Sequence, residues 1–553
     1  MEDGKKISNF IWDFIDEELA KGIRDNVYTR FPPEPNGYLH IGHAKAIYIN
    51  FTTAQKYSGK TNLRFDDTNP AKEDTEFVDS IQQDIKWLGY NWNKLCFGSD
   101  YFHQTYLYAI ELIKKGLAYV DDLTAEDIKN YRGTLVTQGQ ESPYRNRGVE
   151  ENLALFTQMK EGIFADGEKV LRAKIDMDSP NVVLRDPVIY RILHAYHHNT
   201  RDEWCIYPLY DFAHPIQDAI EGVTYSLCSL EFENNRPLYD WVLNNLDDFK
   251  KVRPRQIEFA RLNLENTVMS KRFLKRLIDE GIADGWDDPR LPTLCGLRRR
   301  GVSPEAIRNF CEAIGISKSN SEVEYALFEH MIRDDLKPKA KRVMAVLDPV
   351  KVVITNYEKH RIEYLPISNN QDNEELGERL VPFGREIYIE REDFMEVPPN
   401  KYHRLYPGNE VRLMGAYFIK CEEVIKDANG DIIQINCTYD EKTKNGLGFT
   451  ERKVKGTIHW VEVSTCEKFK TNLYEQLLLT DDGTDKDYME RINPQSLKEV
   501  TAYCEPCLKE ANAGEVFQFV RNGYFAADSK SSKPEEPVFN RTVSLKSSYK
   551  VSQ

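Results

Sequence analysis

The most chemically suggestive string in this sequence is Phe31-Pro-Pro-Glu-Pro-Asn-Gly-Tyr-Leu-His-Ile-Gly-His43. His40 and His43 stand three apart, so on the first turn of a helix they share a side and can both reach one anionic group. Gly42 between them lets a flat ring lie against the backbone. Far downstream, Val268-Met-Ser-Lys-Arg272 offers an ammonium at Lys271. Two imidazoles at a helix start, where backbone N–H groups and the dipole favour a phosphate, are placed to meet an anion. Each part alone has a plainer explanation. A histidine near a helix start is commonly a cap, a first-turn glycine a packing choice, and Met-Ser-Lys a surface loop.

The surrounding elements decide whether these residues can act together. Val27 to Phe31 reads as a short strand, broken by Pro32, Pro33 and Pro35 and turned at Asn36-Gly37. Ala44, Ile47, Phe51 and Ala54 then recur at helical spacing. Asn62 to Phe65 is a second strand, and Phe77, Ile81, Ile85 and Leu88 mark a second helix. This alternation predicts a doubly wound parallel sheet that binds ligands at the carboxyl ends of its strands. The first histidine string then begins a helix, whose free N–H groups and dipole favour a phosphate. Phe102, Tyr106, Ala109 and Ile113 predict a further helix, stopped by Lys114, Lys115 and Gly116.

From about 117 to 205 the pattern turns irregular, with a helix over Val149 to Met159 and a strand over Leu171 to Met177. An α+β insertion is expected there. Tyr207 to Arg261 resumes the α/β pattern, and 262 to 340 is mostly helical. Beyond Val343 strands dominate: Val350 to Ile354, Glu386 to Glu390, Val411 to Lys420 and Thr457 to Val463, with Asn429-Gly430 as a hairpin signal. The fold class is thus α/β and multidomain, with a helical connector and C-terminal antiparallel β-barrels.

Composition narrows the class further. The chain has 553 residues, too many for one core, and its 41% apolar and 11% aromatic content argues against disorder. No run approaches the roughly 18 apolar residues that span a bilayer. The start, Met1 to Phe10, lacks the apolar stretch of a secretory signal. The ten cysteines are scattered and read as reduced thiols of a cytoplasmic protein. The net charge of −15 does not exclude a nucleic-acid partner, because counterion release depends on cations at the contact surface. Local basic clusters exist at Lys271 to Arg276, Arg298 to Arg300 and Lys337 to Arg342, each more simply read as a solvated helix face.

The two strings together resemble the H-I-G-H and K-M-S-K-S motifs of class I aminoacyl-tRNA synthetases. The second departs at Val268 and Arg272, as is characteristic of the glutaminyl-tRNA synthetase family. Leu63-Arg-Phe-Asp-Asp-Thr-Asn-Pro70, Trp204 to Phe212, Ser226 to Phe232, Gly285 to Arg290, Gly296 to Gly301 and Pro537 to Val543 are similar to segments of that family, so the resemblance spans nearly the whole chain. It implies a nucleotide-binding domain split between 1–100 and 210–261, an acceptor-stem-binding insertion at 101–209 and a connector at 262–341. It also implies a proximal barrel built from 342–394 and 478–553 and a distal barrel at 395–477.

The resemblance implies ligation of L-glutamine to tRNA(Gln) through a glutaminyl-adenylate, with ATP and Mg2+ and no protein-bound zinc. His40, His43 and Lys271 take the catalytic roles. The ATP site includes Glu34, Pro35, Asn36, Gly42, Ser229, Arg261, Leu262, Met269 and Ser270 besides those three. The glutamine pocket involves Arg30, Asp66, Tyr210 and Cys228, with Asp66 on the substrate ammonium. Leu135, Asn234, Arg342, Arg404, Arg412, Gln518 and Arg521 fall where family members contact tRNA. A monomer without membrane attachment is the family's expectation.

The rival within the class is a glutamyl enzyme. A pocket for a carboxylate side chain wants a fixed cation, and glutamyl relatives typically carry arginine where Cys228 stands. A neutral thiol there favours an amide. Asn234 replaces the aspartate common in relatives, which alters one acceptor-stem contact. Cys504-Glu-Pro-Cys507 has metal-knuckle spacing but no second pair follows. His194, His197 and His198 resemble a ligand cluster, yet no acidic residue completes a recognisable catalytic set, so a structural or surface role is expected.

Overall fold

Two prolines decide where the first strand stops. After α1 (Phe10–Ala20), the chain extends as β1 (Tyr28–Phe31) until Pro32 and Pro33 remove consecutive backbone donors. It then enters α2 (Ile41–Lys56), β2 (Lys60–Phe65), α3 (Thr75–Trp87) and β3 (Leu95–Phe97). The computed structural model describes residues 8–70, 75–249, 253–480 and 487–545. The charged start before residue 8 and the end of the tail beyond 545 lie outside the described residues. Strands β1, β2 and β3 pair in parallel, with Arg30 opposite Asn62 and Phe31 opposite Leu63.

The chain divides into two compact units, residues 1–263 with 311–323, and residues 264–310 with 324–553. In the first unit an insertion follows β3. It comprises α4 (Phe102–Lys114), β4 (Ala118–Asp121), α5 (Ala125–Arg132), α6 (Val149–Lys160), β5 (Val170–Ala173), β6 (Val188–Ile192) and β7 (Ile206–Pro208). Its four strands form an antiparallel sheet in sequential order, over a core that includes Phe156, Met159, Leu171 and Ile189. The strand expected to reach Met177 ends at Ala173, because the Asp186 carboxylate accepts the Ile175 N–H at 2.7 Å and turns the chain.

The α/β pattern then returns as α7 (Tyr210–Glu221), β8 (Tyr225–Ser229), α8 (Arg236–Asn245) and β9 (Arg255–Phe259), with β8 and β9 parallel. Thr224 N donates to Tyr28 O at 2.9 Å, bringing the start of β8 beside β1. One half of the sheet therefore grows from β1 through β2 to β3 and the other from β8 to β9. The reversal lies between β1 and β8, where a crevice forms outside the strand ends.

The second unit begins with α9 (Lys271–Asp279), continues through further helices, and carries two seven-stranded sheets. In one, Lys341–Val343 lies at one edge and Ala345–Val346 at the other; these two segments are one residue apart in sequence. In the other sheet, Thr457–Ile458 and Val461–Glu462 occupy opposite edges in the same way. A single passage of chain thus supplies both edges of each sheet, which brings the edges together and curls the sheet toward a barrel.

Several expectations for this unit need correction. Val411 to Lys420 is two antiparallel strands, Glu410–Leu413 and Phe418–Lys426, turned at Gly415 with φ +67°. The apolar run hid a turn that only the glycine marks. Thr457 to Val463 is likewise interrupted, at the buried His459 and Trp460. Strand pairing also redraws the barrel boundaries. Of the 342–394 region, only residues 342–346 join the barrel containing 497–544, while Pro349–Ile354 and Glu386–Glu390 pair with the 410–462 strands. Pairing across long sequence separation leaves no local trace, so composition could not place that boundary. Finally, Arg298 to Arg300 is not a solvated face. Arg299 pairs with the buried Asp528 at 3.1 Å, and Arg300 donates to Thr542 O at 3.0 Å.

Candidate active site

His40 is the N-cap of α2, and it caps in partnership with His43. His40 Nδ1 accepts the Gly42 N–H at 3.1 Å, and His43 Nδ1 accepts the His40 N–H at 3.1 Å. A neutral imidazole has one acceptor and one donor nitrogen. With Nδ1 committed as acceptor in both rings, the proton of each sits on Nε2. Burial keeps both rings neutral, pulling His40 down to about 2, with help from His43, and His43 down to about 4. The rings lie 3.8 Å apart between centroids. The plain reading as caps thus holds through Nδ1 of each ring, and each Nε2–H points to a separate use as a donor. The pair can offer two N–H donors to phosphate oxygens at the positive end of α2.

Upstream, Glu34 is exposed and its carboxylate takes the Asn36 side-chain amide, while Pro35 is buried. On β8 and just past β9, Ser229 donates to Glu231 at 3.3 Å and Arg261 pairs with Glu231 at 2.5 Å; Leu262 is buried beside them in sequence. Glu231 thus gathers two of the expected ATP residues in the ligand-free chain. In the second unit, Met269 is half-buried and Ser270 is the N-cap of α9, with no side-chain bond to the helix. Lys271 and Arg272 open that helix, both exposed, and its first turn holds no acidic residue. Cations at a helix N-terminus oppose the dipole, a placement that makes sense where an anion is to be met.

Beneath the crevice of the first unit lies a buried charge network. Arg30, fully buried, uses Nε on Asp218 at 3.1 Å, Nη1 on Leu227 O at 2.7 Å, and Nη2 on Ser226 Oγ at 2.8 Å and on the His214 ring. Arg64 from β2 reaches the same Asp218 at 2.6 Å and Glu221 at 3.0 Å. Burial works to raise Asp218, but the Arg30 and Arg64 guanidinium groups hold it far below the usual carboxylate range. Burial keeps His214 neutral. Two guanidinium cations thus face two carboxylates, and the pocket floor carries no surplus charge.

Above this floor, Tyr210 stacks on His214 with centroids 4.7 Å apart, and burial raises its phenol well above its ordinary value. Burial also pushes the Cys228 thiol up to about 12, so it is uncharged at neutral pH. Asp66 is half-buried at the end of β2; its N–H donates to Pro33 O at 2.9 Å and its carboxylate accepts the Thr68 hydroxyl at 2.9 Å. Burial raises it to about 6, against the Thr68 bond and Arg64.

Residues 26–338 match the family described as tRNA synthetases class I (E and Q), catalytic domain. Residues 340–440 and 457–528 match two anti-codon binding domains of the same description. A glutamine–tRNA ligase of Clostridium kluyveri is 60% identical over 554 residues, spanning 100% of this chain and 99% of that protein. One of Clostridium perfringens is 59% identical with both chains covered at 100%, and one of Vibrio cholerae 55% identical over 98% of each. The chain belongs to the glutamine–tRNA ligase family.

The residues expected to contact tRNA occur in both units. Leu135 and Val136 are 84% and 94% exposed at the tip of a loop in the insertion. The loop is not slack, because the buried Arg185 donates through Nη1 to the carbonyls of Arg132, Thr134 and Thr137 at 2.8 to 3.0 Å. Asn234 is exposed, its backbone oxygen held by Asn181 Nδ2 at 2.8 Å. In the barrels, Arg342 and Gln518 are brought together as direct register partners. Arg404 and Arg521 share the fully buried carboxylate of Asp393, Arg404 at 3.1 Å and Arg521 through two bonds of 2.6 Å. Arg412 lies over the Phe418 ring at 4.3 Å.

Sequence reasoning missed the buried charge network around Arg30: Arg64, His214, Asp218 and Glu221. A signal existed for one of them. Arg64 stands between Leu63 and Phe65 in a strand of the parallel sheet, where a buried charge demands a partner. It also missed Asp67. Acidic partners lie beside these histidines in space: His198 Nε2 lies 2.9 Å from the Asp67 carboxylate, and His194 pairs with Asp166 at 2.6 Å. Asp67 is about 130 positions away in sequence, so only folding could reveal it.

Proposed function

We propose that the chain joins L-glutamine to the 3′-terminal adenosine of tRNA(Gln), using ATP. The observation that carries this reading beyond the family is the balanced pocket floor. Arg30 is the cation a glutamate side chain would need, but Asp218 already neutralises it. Cys228 adds no second cation. An amide is accommodated at little cost, whereas a carboxylate would remain unpaired.

In the first step the glutamine carboxylate attacks the α-phosphorus of ATP, which enters as its magnesium complex, and pyrophosphate leaves. In the second, the ribose 2′-hydroxyl of the terminal adenosine attacks the activated carbonyl, and AMP leaves. His40 and His43 donate their Nε2–H groups to phosphate oxygens as charge builds, and Lys271 adds a cation from the α9 start. Each contributes about 2–4 kcal/mol to the barrier. Asp66 holds the substrate ammonium and Tyr210 its side-chain amide. Ser229 and Arg261 exchange Glu231 for ATP.

The insertion grips the acceptor end, with Leu135 wedged against the first base pair and Asn234 beside the stem. The barrels read the anticodon through Arg342, Gln518, Arg404 and Arg412. Arginine and glutamine suit unstacked bases because they form paired hydrogen bonds to base edges. Arg521, bound twice to Asp393, acts mainly by setting Arg404. No described helix is long and apolar enough to cross a membrane, and a cytoplasmic monomer is the working form.

The test is charging of total tRNA with labelled glutamine and, separately, glutamate at saturating ATP and Mg2+. Charging with glutamine alone is expected; charging with glutamate would overturn the specificity while keeping the chemistry. Lys271→Ala should lower turnover far more than tRNA affinity, since its contact tightens in the transition state. Equal losses would remove it from that role.

A further inference from the structure

Two adjacent carboxylates end β2, and the fold treats them in opposite ways. Asp66 is left half-buried with one hydroxyl partner. Asp67 is fully buried and saturated. Its Oδ1 accepts the Ser99 N–H at 2.7 Å; its Oδ2 accepts the Ser99 hydroxyl at 2.6 Å, His198 Nε2 at 2.9 Å and Asn199 Nδ2 at 3.1 Å. Its backbone carbonyl accepts His197 Nε2 at 2.7 Å.

His197, His198 and Asn199 all come from the β6–β7 connection of the insertion. That connection is closed on itself by reciprocal backbone bonds between His197 and Arg201, at 2.8 and 3.0 Å. His197 packs edge-on against Phe102 at 5.4 Å, and His198 against Phe97 at 5.9 Å.

Asp67, His197 and His198 offer ligand atoms within 4.8 Å of one another, the spacing of a metal site. The hydrogen bonds argue against a metal. A carbonyl only accepts, so His197 Nε2 carries the proton, and its Nδ1 accepts the N–H groups of Asn199 and Thr200 at 3.1 and 3.2 Å. Neither nitrogen has a lone pair to give a cation. Burial keeps this ring neutral.

We propose that the 197–199 turn positions the amino-acid ammonium site. By gripping Asp67 on its carboxylate and its carbonyl, it fixes where the Asp66 carboxylate stands. From the other side Asp66 is tied to Pro33 O, at the exit of β1. The ammonium acceptor is thus suspended between the nucleotide loop and the acceptor-stem insertion, and His197 is a positioning residue for glutamine. The inference rests on Asp66 being the ammonium partner.

The experiment is tRNA charging by the full chain, with glutamine, ATP and tRNA varied in turn, for Asp66→Asn, His197→Ala and His197→Gln. H197A should raise the glutamine KM roughly tenfold and leave the KM values for ATP and tRNA within about twofold. H197Q, whose amide N–H can donate to the same carbonyl, should recover most of the loss. An unchanged glutamine KM in H197A, or an equal rise for ATP, would overturn the proposal. If D66N also leaves the glutamine KM unchanged, the reading of Asp66 fails with it; a defect in D66N alone overturns only the positioning role. Should H197A fail to fold, Asn199→Ala carries the test, with a rise of about two- to fourfold expected and no rise counting against. Metal analysis of the purified protein should find no stoichiometric ion; one bound ion per chain would overturn the hydrogen-bonded assignment.

Discussion

The arginines of the pocket floor and those of the barrels meet carboxylates at similar distances but in different media. Arg30 and Arg64 are fully buried against the buried Asp218 and Glu221. Arg404 and Arg521 also share a buried carboxylate, Asp393, yet remain 36% and 25% exposed, and their second acidic neighbour, Glu392, is 71% exposed. A buried pair cannot change partners, because breaking it strands a charge in a poor solvent. A half-exposed arginine can trade an exposed glutamate for a phosphate or a base at little cost. The first arrangement sets a fixed, neutral floor that defines what fits above it. The second keeps cations available to a large anionic partner that comes and goes.

The sharpest way to break the contrast is Asp218→Ala. It should cost about 3–5 kcal/mol of stability, because two buried guanidinium groups lose their shared partner. Thermal unfolding would read the loss, and glutamine charging should vanish with it. A change in melting temperature no larger than that of a surface variant would refute the fixed-floor account.

Next in size is His40→Asn, which separates capping from catalysis. Asparagine can accept the Gly42 N–H as a cap but lacks the Nε2–H. Turnover should fall about 10²- to 10³-fold with little change in melting temperature. Because both rings are already neutral at physiological pH, the turnover profile from pH 6 to 8 should show no limb that disappears in this variant.

A smaller effect is expected from placing a cation where the balanced pocket has none. Cys228→Arg should move the ratio of glutamine to glutamate charging by roughly tenfold toward glutamate. An unaltered ratio would mean that the thiol's neutrality is not what excludes the acid.

A comparable change should come from pH. Asp66 is raised to about 6 in the ligand-free protein, and only its ionised form can hold an ammonium. As pH falls below 6 the carboxylate takes a proton and the partner is lost, so glutamine KM should climb about tenfold between pH 7 and pH 5. A flat profile would place the ammonium elsewhere.

The smallest expected effect lies at the exposed end of the comparison. Arg404→Ala should weaken tRNA binding by about 1 kcal/mol without changing glutamine KM or melting temperature. If it destabilises the chain as Asp218→Ala does, the two regions do not differ in kind.

Much of the reactive machinery could be read from residue order because it is local. His40, Gly42 and His43 lie on one helical turn. Asp66 ends a strand whose apolar residues announce it, and Lys271 begins a helix that follows a short, recognisable string. The hairpin at Asn429-Gly430 was equally plain, with Ile425 to Lys426 and Ile432 to Gln434 pairing across it. Local contacts obey the periodicities of helix and strand, so spacing alone can place them.

What sequence left open is everything that depends on contacts between distant positions. Asp218 holds Arg30 across 188 positions, and Asp67 meets the 197–199 turn across about 130. The barrels close through segments whose two halves pair with opposite edges. The sequence by itself determined which groups could perform the chemistry and on which elements they stand. Only the tertiary structure decided which nitrogen of each histidine is free to donate, and which arginine is already neutralised. It also decided which of two adjacent aspartates is saturated by hydrogen bonds and which keeps a single hydroxyl partner. Those outcomes follow from burial and from the direction of hydrogen bonds, and neither exists until remote segments pack.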